Sequence, residues 1–151
     1  MIYSAFPGTG KTFASSKNTS IIDAESSNFQ WLDAAGDTNE TTKGALKIKN
    51  PAWPQNYIDY IIEKSKNNTV LIASQPAVLK ALDEANVTYT TVAPLASDKQ
   101  IYLQRYKKRG NNESFINMMS KNFNNFIEDL HSHTKAHHVT LKTTEYLIDI
   151  L

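Results

Sequence analysis

The chain has 151 residues, of which 40% are hydrophobic and 21% are charged, with a formal net charge of +1. These values fit one globular domain, residues 1–151, and disfavour a disordered chain or a partner that is a nucleic acid polymer. The sequence has no cysteine, which excludes disulfides and thiolate zinc sites. No apolar run approaches the roughly 20 residues of a membrane span, and the start lacks the features of a signal peptide. We therefore expect a cytoplasmic protein with no membrane partner.

Short apolar runs alternate with amphipathic stretches along the chain, which is typical of an α/β domain with a mainly parallel sheet. The predicted strands are residues 2–6, 20–23, 69–74, 87–94 and, at an edge, 137–141. The predicted helices are residues 11–16, 54–66, 76–86, 97–110, 112–133 and, at the terminus, 143–151, where the pattern fits a helix or its frayed end. Ser97 is the expected N-cap of the 97–110 helix, and Gly110 follows its end.

The motif AFPGTGKT, residues 5–12, lies between the first strand and the first helix. Ala5, Gly10, Lys11 and Thr12 match the spacing of a Walker A loop. Such a loop needs small residues so that backbone N–H groups converge on phosphate oxygens, with a lysine for the outer phosphates and a hydroxyl for Mg²⁺. The residues expected to bind the nucleotide are Pro7, Gly8, Thr9, Gly10, Lys11 and Thr12. The alternative is an ordinary Pro-Gly turn with a surface lysine.

A phosphate-binding loop of this kind usually has an acid at the end of a neighbouring strand. The end of the buried strand TVLIAS carries Ser74 and Gln75 instead, and the nearest carboxylates are Asp23 and Glu25, after the second strand. If that strand is parallel to the first, both lie at the same sheet edge as the loop. Asp23 is then expected to hold magnesium, together with Thr12, or to accept a proton. The alternative is that Asp23 caps a following helix.

Helical spacing places Arg105 and Arg109 on one face of the 97–110 helix. We expect these arginines to stabilise the transferring phosphoryl group. The alternative is a basic helix end that interacts with its own dipole.

The stretches DAESSNFQW, PQNYIDYI, VLIASQPAVLKAL and YLQRYKKRG, with the N-terminal glycine loop, resemble the P-loop nucleoside and nucleotide kinases, and more closely small phage-encoded adenylate kinase-like proteins. The resemblance implies a three-layer α/β/α P-loop NTPase fold with a five-stranded sheet. It also implies ATP and Mg²⁺ as the donor, a helical lid at about residues 97–110, and catalytic roles for Lys11, Asp23, Arg105 and Arg109. The loop lacks the extra glycine-rich turn of true adenylate kinases, and no second arginine set for an acceptor monophosphate is evident.

The polar stretch at about residues 33–54 is predicted to be a mobile loop that receives the acceptor, a nucleotide or nucleoside. Trp31, Trp53 and Tyr57 offer aromatic faces for a base, or else anchor the loop to the core. The four histidines, His131, His133, His137 and His138, are not expected to bind metal. A simple NTPase and a nucleotide-binding regulatory module without turnover remain alternatives to the kinase.

Overall fold

A five-stranded parallel sheet forms the centre of the fold. The structure is a computed structural model, and it describes residues 1–32 and 48–151. The strands, in chain order, are β1 (Ile2–Ala5), β2 (Ile21–Asp23), β3 (Trp31–Leu32), β4 (Ile48–Lys49), β5 (Thr69–Ala73), β6 (Thr90–Pro94) and β7 (His137–Leu141). The sheet has the order β2-β5-β1-β6-β7, and each neighbouring pair is parallel. Strands β3 and β4 form a separate antiparallel pair.

Helices connect these strands and cover both faces of the sheet. They are α1 (Lys11–Lys17), α2 (Ser27–Gln30), α3 (Gln55–Ser65), α4 (Pro76–Glu84), α5 (Lys99–Lys108) and α6 (Glu113–His131). Short 3₁₀ segments occur at Ala96–Asp98 and Leu147–Asp149. The predicted α/β class and parallel five-stranded sheet are therefore confirmed.

Strand β5 illustrates how the core is divided between the two faces. Val70, Leu71 and Ile72 are all fully buried, as the continuous apolar run predicts for a central parallel strand. Because side chains alternate along a strand, Val70 and Ile72 pack with helices α3 to α6, whereas Leu71 packs with Ala14 of α1 and with Leu147. Helices therefore flank the sheet on both sides, which is compatible with three layers.

Several element ends differ from the predictions, for identifiable reasons. Helix α5 begins at Lys99 after a 3₁₀ turn, and Ser97 is not its cap. The buried Asp98 at this junction instead accepts a hydrogen bond from the Thr143 hydroxyl at 3.2 Å. The terminal helix is reduced to one 3₁₀ turn because the Leu147 N–H donates to the Thr9 carbonyl at 2.9 Å.

Two small elements, α2 and the β3–β4 pair, were not predicted. Elsewhere the local signals hold: the Asn112 side chain caps α6 by accepting from the Phe115 N–H at 2.8 Å, and Gly110 after α5 is left-handed. Within residues 1–32 and 48–151, no helix has the length and hydrophobicity needed to cross a membrane.

Candidate functional site

The glycine loop connects the end of β1 to the start of α1 at the carboxyl edge of the sheet. Its first residue is tied to the sheet, because the Phe6 N–H donates to the Val92 carbonyl at 2.9 Å. The Thr9 hydroxyl closes the turn by donating to the Phe6 carbonyl at 2.8 Å. Gly8 and Gly10 have φ angles of 87° and 95°, in the left-handed region that favours glycine. The loop therefore has a defined conformation that the sequence of small residues permits.

Helix α5 packs against one side of this loop. A Cβ placed on Gly8 would lie 2.9 Å from Cε1 of Tyr106 and 3.2 Å from Cδ1 of Tyr102. Both tyrosines are buried, and the Tyr106 hydroxyl donates to the Pro7 carbonyl at 2.8 Å. Gly8 is therefore required by both its backbone conformation and the approach of these rings.

The C-terminal segment also contacts the loop. Tyr146 lies over Gly10, where an added Cβ would be 3.3 Å from its ring. Arg105 links the three parts of this region: its Nη1 donates to the Gly8 carbonyl at 3.1 Å, and its guanidinium lies 4.4 Å from the Tyr102 ring and 4.2 Å from the Tyr146 ring. Tyr146 was missed from the sequence, because nothing in the local pattern indicates that residues 143–149 return to the loop.

Lys11 is the first residue of α1, directly after the loop. Burial lowers its pKa, and the charge of Arg109 acts in the same direction, whereas Asp23 and Glu25 oppose the shift. No residue in the described ranges forms an ion pair with its ammonium group. A partly buried lysine that forms no direct ion pair and follows a glycine loop favours an anionic ligand.

Asp23 lies next to the loop, at the sheet edge expected from the sequence. Strand β2 runs parallel to β5, which in turn runs parallel to β1, so the carboxyl ends of all three meet at one edge. The Thr12 hydroxyl donates to Asp23 Oδ2 at 2.9 Å. Asp23 does not cap α2, whose N-cap position is Ser26. The two residues predicted to serve magnesium are thus in direct contact, and their roles stay predictions.

The two arginines of α5 occupy different positions around the loop. Whereas Arg105 is hydrogen-bonded to the loop backbone, Arg109 donates through Nε to the Asn111 side chain and lies 5.0 Å from the Tyr106 ring. The charge of Arg109 contributes to lowering the pKa of Lys11. The movement of α5 as a lid stays a prediction, since the helix is packed against the loop in this structure.

The end of β5 carries no acid, as the sequence indicates. Ser74 and Gln75 follow the strand, and Gln75 Oε1 is buried with no hydrogen-bond partner in the described part of the chain. Unpaired buried polar atoms are uncommon in folded proteins, because the lost hydration is not replaced. This position is therefore a second polar feature beside the glycine loop.

The acceptor loop predicted at residues 33–54 lies partly outside the described residues, which omit 33–47. Of the three aromatic residues at its ends, Trp31 is in β3, and Trp53 stacks on Tyr57 with ring centroids 5.4 Å apart. The Tyr57 hydroxyl donates to the Ala24 carbonyl at 2.5 Å. One face of Trp53 is therefore already covered by the protein.

The histidines lie at or just after the end of α6 and at the start of β7. His131 and His138 are exposed at the end of α6 and on the edge strand β7, while His133 Nδ1 is 2.7 Å from Asp83 Oδ2. In the part of the chain that is described, no group of three or more histidine and carboxylate side chains is placed to hold a metal.

Comparison with models of known protein families finds no match for this chain, and comparison with curated proteins finds none either. The case for a function therefore rests on the glycine loop, Lys11, and the Thr12–Asp23 pair.

Proposed function

We propose that this chain is a small P-loop kinase that transfers the γ-phosphoryl group of ATP to a nucleoside or nucleotide, with Mg²⁺ as cofactor. The observation that carries the proposal is that Lys11 follows the glycine loop at the start of α1, forms no ion pair in the described residues, and directly precedes Thr12, whose hydroxyl donates to Asp23. This is the donor set that a nucleoside triphosphate requires: a backbone cradle, a cation and hard oxygen ligands.

Magnesium fits this donor set. It binds few protein oxygens directly and shares its coordination with substrate phosphates and water. The Thr12 hydroxyl donates a hydrogen bond to Asp23, so the threonine oxygen keeps its lone pairs for a cation while the carboxylate supplies negative charge. Bound magnesium would supply neutralisation of charge on the β and γ phosphates.

The proposed transfer would use these groups as follows. The acceptor hydroxyl oxygen forms a bond to the γ phosphorus, the bond from that phosphorus to the β,γ-bridging oxygen breaks, and ADP leaves with the electron pair. The acceptor proton passes to a carboxylate, for which the second oxygen of Asp23 is available. Lys11 binds the outer phosphates, and Arg109 offsets charge on the migrating group. Arg105 acts as a positioning residue for the loop backbone.

One observation favours a second candidate, a nucleotide-binding module without turnover. Ser74 and Gln75 occupy the position where many P-loop enzymes have an acid, and Arg105 is already engaged with Gly8 and two tyrosine rings. A module of this kind would bind Mg-ATP through the same loop but form no ADP. An NTPase would form ADP at a rate that does not depend on an acceptor.

Two measurements on wild type and Lys11→Met separate these candidates. Calorimetry with Mg²⁺ and a non-hydrolysable ATP analogue reports binding, which we expect in wild type and at least tenfold weaker in the variant. Mass spectrometry after incubation with Mg-ATP and a panel of nucleosides and monophosphates reports transfer. If wild type binds the ATP analogue but forms no acceptor-dependent ADP, the kinase is rejected and the binding module is retained. If wild type and Lys11→Met bind the analogue equally well, the proposed ATP site at the glycine loop is rejected.

A further inference from the structure

A cavity of about 600 Å³ lies between helices α4 and α6 and extends to the glycine loop. Its size is within the range of small-molecule sites, about 300–1,000 Å³, whereas well-packed interiors leave few voids larger than a water molecule. Most of its wall is apolar, formed by Phe6, Leu79, Phe115, Met118, Met119 and Phe126.

Polar groups line the two ends of this cavity. Ser74 and Gln75 follow β5, and Ser132 and His133 follow α6. The buried and unpaired atom Gln75 Oε1 belongs to this wall, and it is an acceptor for which the described residues supply no donor. An apolar chamber with a small number of convergent polar groups is the usual form of a site for a flat organic ligand.

Pro7 connects the cavity to the phosphate-binding region, because it lines the cavity and belongs to the glycine loop. A ligand that contacts Pro7 in this cavity is therefore next to the loop that we propose binds the triphosphate. We infer that this cavity binds the base of the acceptor, an uncharged nucleoside whose base presents an N–H donor to Gln75 Oε1. This inference rests on the proposed kinase function, and it places the acceptor base between α4 and α6 rather than against Trp53.

The charges around the cavity argue for a nucleoside over a nucleoside monophosphate. The basic side chains that line it in the described chain are Lys80 and His133. Lys80 has Glu84 3.8 Å away, and His133 is hydrogen-bonded to Asp83 at 2.7 Å. No arginine lines this cavity in the described residues, so it lacks the planar donor suited to binding a phosphate through two hydrogen bonds.

Equilibrium dialysis of labelled nucleosides and their monophosphates tests the inference directly, in the presence of Mg²⁺ and a non-hydrolysable ATP analogue. Met118→Trp adds bulk to the cavity wall at a residue that is 41% exposed, so the fold tolerates it. Lys121→Trp is the matched control, since it lies on the same helix, is exposed, and does not line the cavity. Gln75→Leu removes the unpaired acceptor, and no hydrogen bond of the α4 cap is lost with it.

We expect wild type to bind at least one nucleoside more tightly than its monophosphate. Met118→Trp and Gln75→Leu should each weaken that binding at least tenfold, while Lys121→Trp stays within twofold and all three variants keep wild-type affinity for the ATP analogue. The inference is overturned if wild type binds no nucleoside, if the monophosphate binds tighter, or if Met118→Trp binds as wild type does. In each of those cases the kinase proposal would still stand if ATP binding depends on Lys11 and ADP forms with another acceptor. If neither is observed, the kinase proposal is rejected as well.

Discussion

The contact between helix α5 and the glycine loop can be tested by comparing Gly8→Ala with Gly110→Ala. Both substitutions carry the same conformational cost for the backbone. Gly8 and Gly110 both have left-handed φ angles, 87° and 82°. An added Cβ at Gly110 meets nothing within 4 Å, whereas at Gly8 it lies 2.9 Å from a buried ring carbon of Tyr106. The left-handed conformation costs roughly 1–2 kcal/mol for an alanine at either position. The steric cost applies only at Gly8.

Overpacking of a well-packed site costs about 1–3 kcal/mol. We therefore expect Gly8→Ala to lower the free energy of unfolding by about 1–3 kcal/mol more than Gly110→Ala. For a domain of this size, that difference corresponds to roughly 2–12 °C in Tm. Urea unfolding of both variants, followed by tryptophan fluorescence, measures it. If the two variants lose the same free energy of unfolding, within about 0.5 kcal/mol, the tyrosine rings are not tightly packed against Gly8 and the packing argument is refuted.

Three further outcomes follow from the site. Burial lowers the pKa of Lys11 from 10.5, so between the folded and the unfolded pKa the unfolded chain binds more protons and the stability of wild type rises with pH. Lys11→Met should therefore have the higher free energy of unfolding at pH 7. Urea unfolding should show this difference narrowing towards pH 10, and a difference that widens would contradict it. Thr12→Val and Asp23→Asn should each weaken ATP-analogue binding in Mg²⁺ but leave binding in EDTA within about threefold, and calorimetry showing equal losses in both buffers would exclude a magnesium role. Tyr106→Phe removes the hydrogen bond to the Pro7 carbonyl and should cost about 1 kcal/mol of stability, which chemical denaturation checks and which an unchanged midpoint would contradict.

The parts of the fold that follow local rules could be predicted from the sequence. The apolar run of β5 predicted a buried central strand, and a glycine loop between a strand and a helix placed Lys11 at the carboxyl edge of the sheet. Parallel strands also imply that Asp23 lies at that edge. For this reason Asp23 could be predicted to lie near Thr12, although the two residues are eleven positions apart in the sequence.

The features that were missed depend on contacts between distant segments. Tyr146 reaches the loop from the C-terminal end, and its stacking on Arg105 cannot be inferred from either local sequence. Helical spacing placed Arg105 and Arg109 on one face, but the hydrogen bond from Arg105 to the Gly8 carbonyl depends on how α5 packs against the loop. The cavity between α4 and α6 likewise depends on the separation of two helices, which no pattern of residues encodes.

Transfer of the γ-phosphoryl group from ATP to an acceptor is the measurement that decides whether this chain is a kinase. Wild type and Lys11→Met are incubated with Mg-ATP and each nucleoside or monophosphate in turn, and ADP and the phosphorylated acceptor are quantified by mass spectrometry. Our account predicts equal amounts of ADP and phosphorylated acceptor for at least one compound with wild type, and neither product above background with Lys11→Met. Failure of wild type to phosphorylate any member of the panel, or ADP formation that no acceptor accelerates, would contradict it.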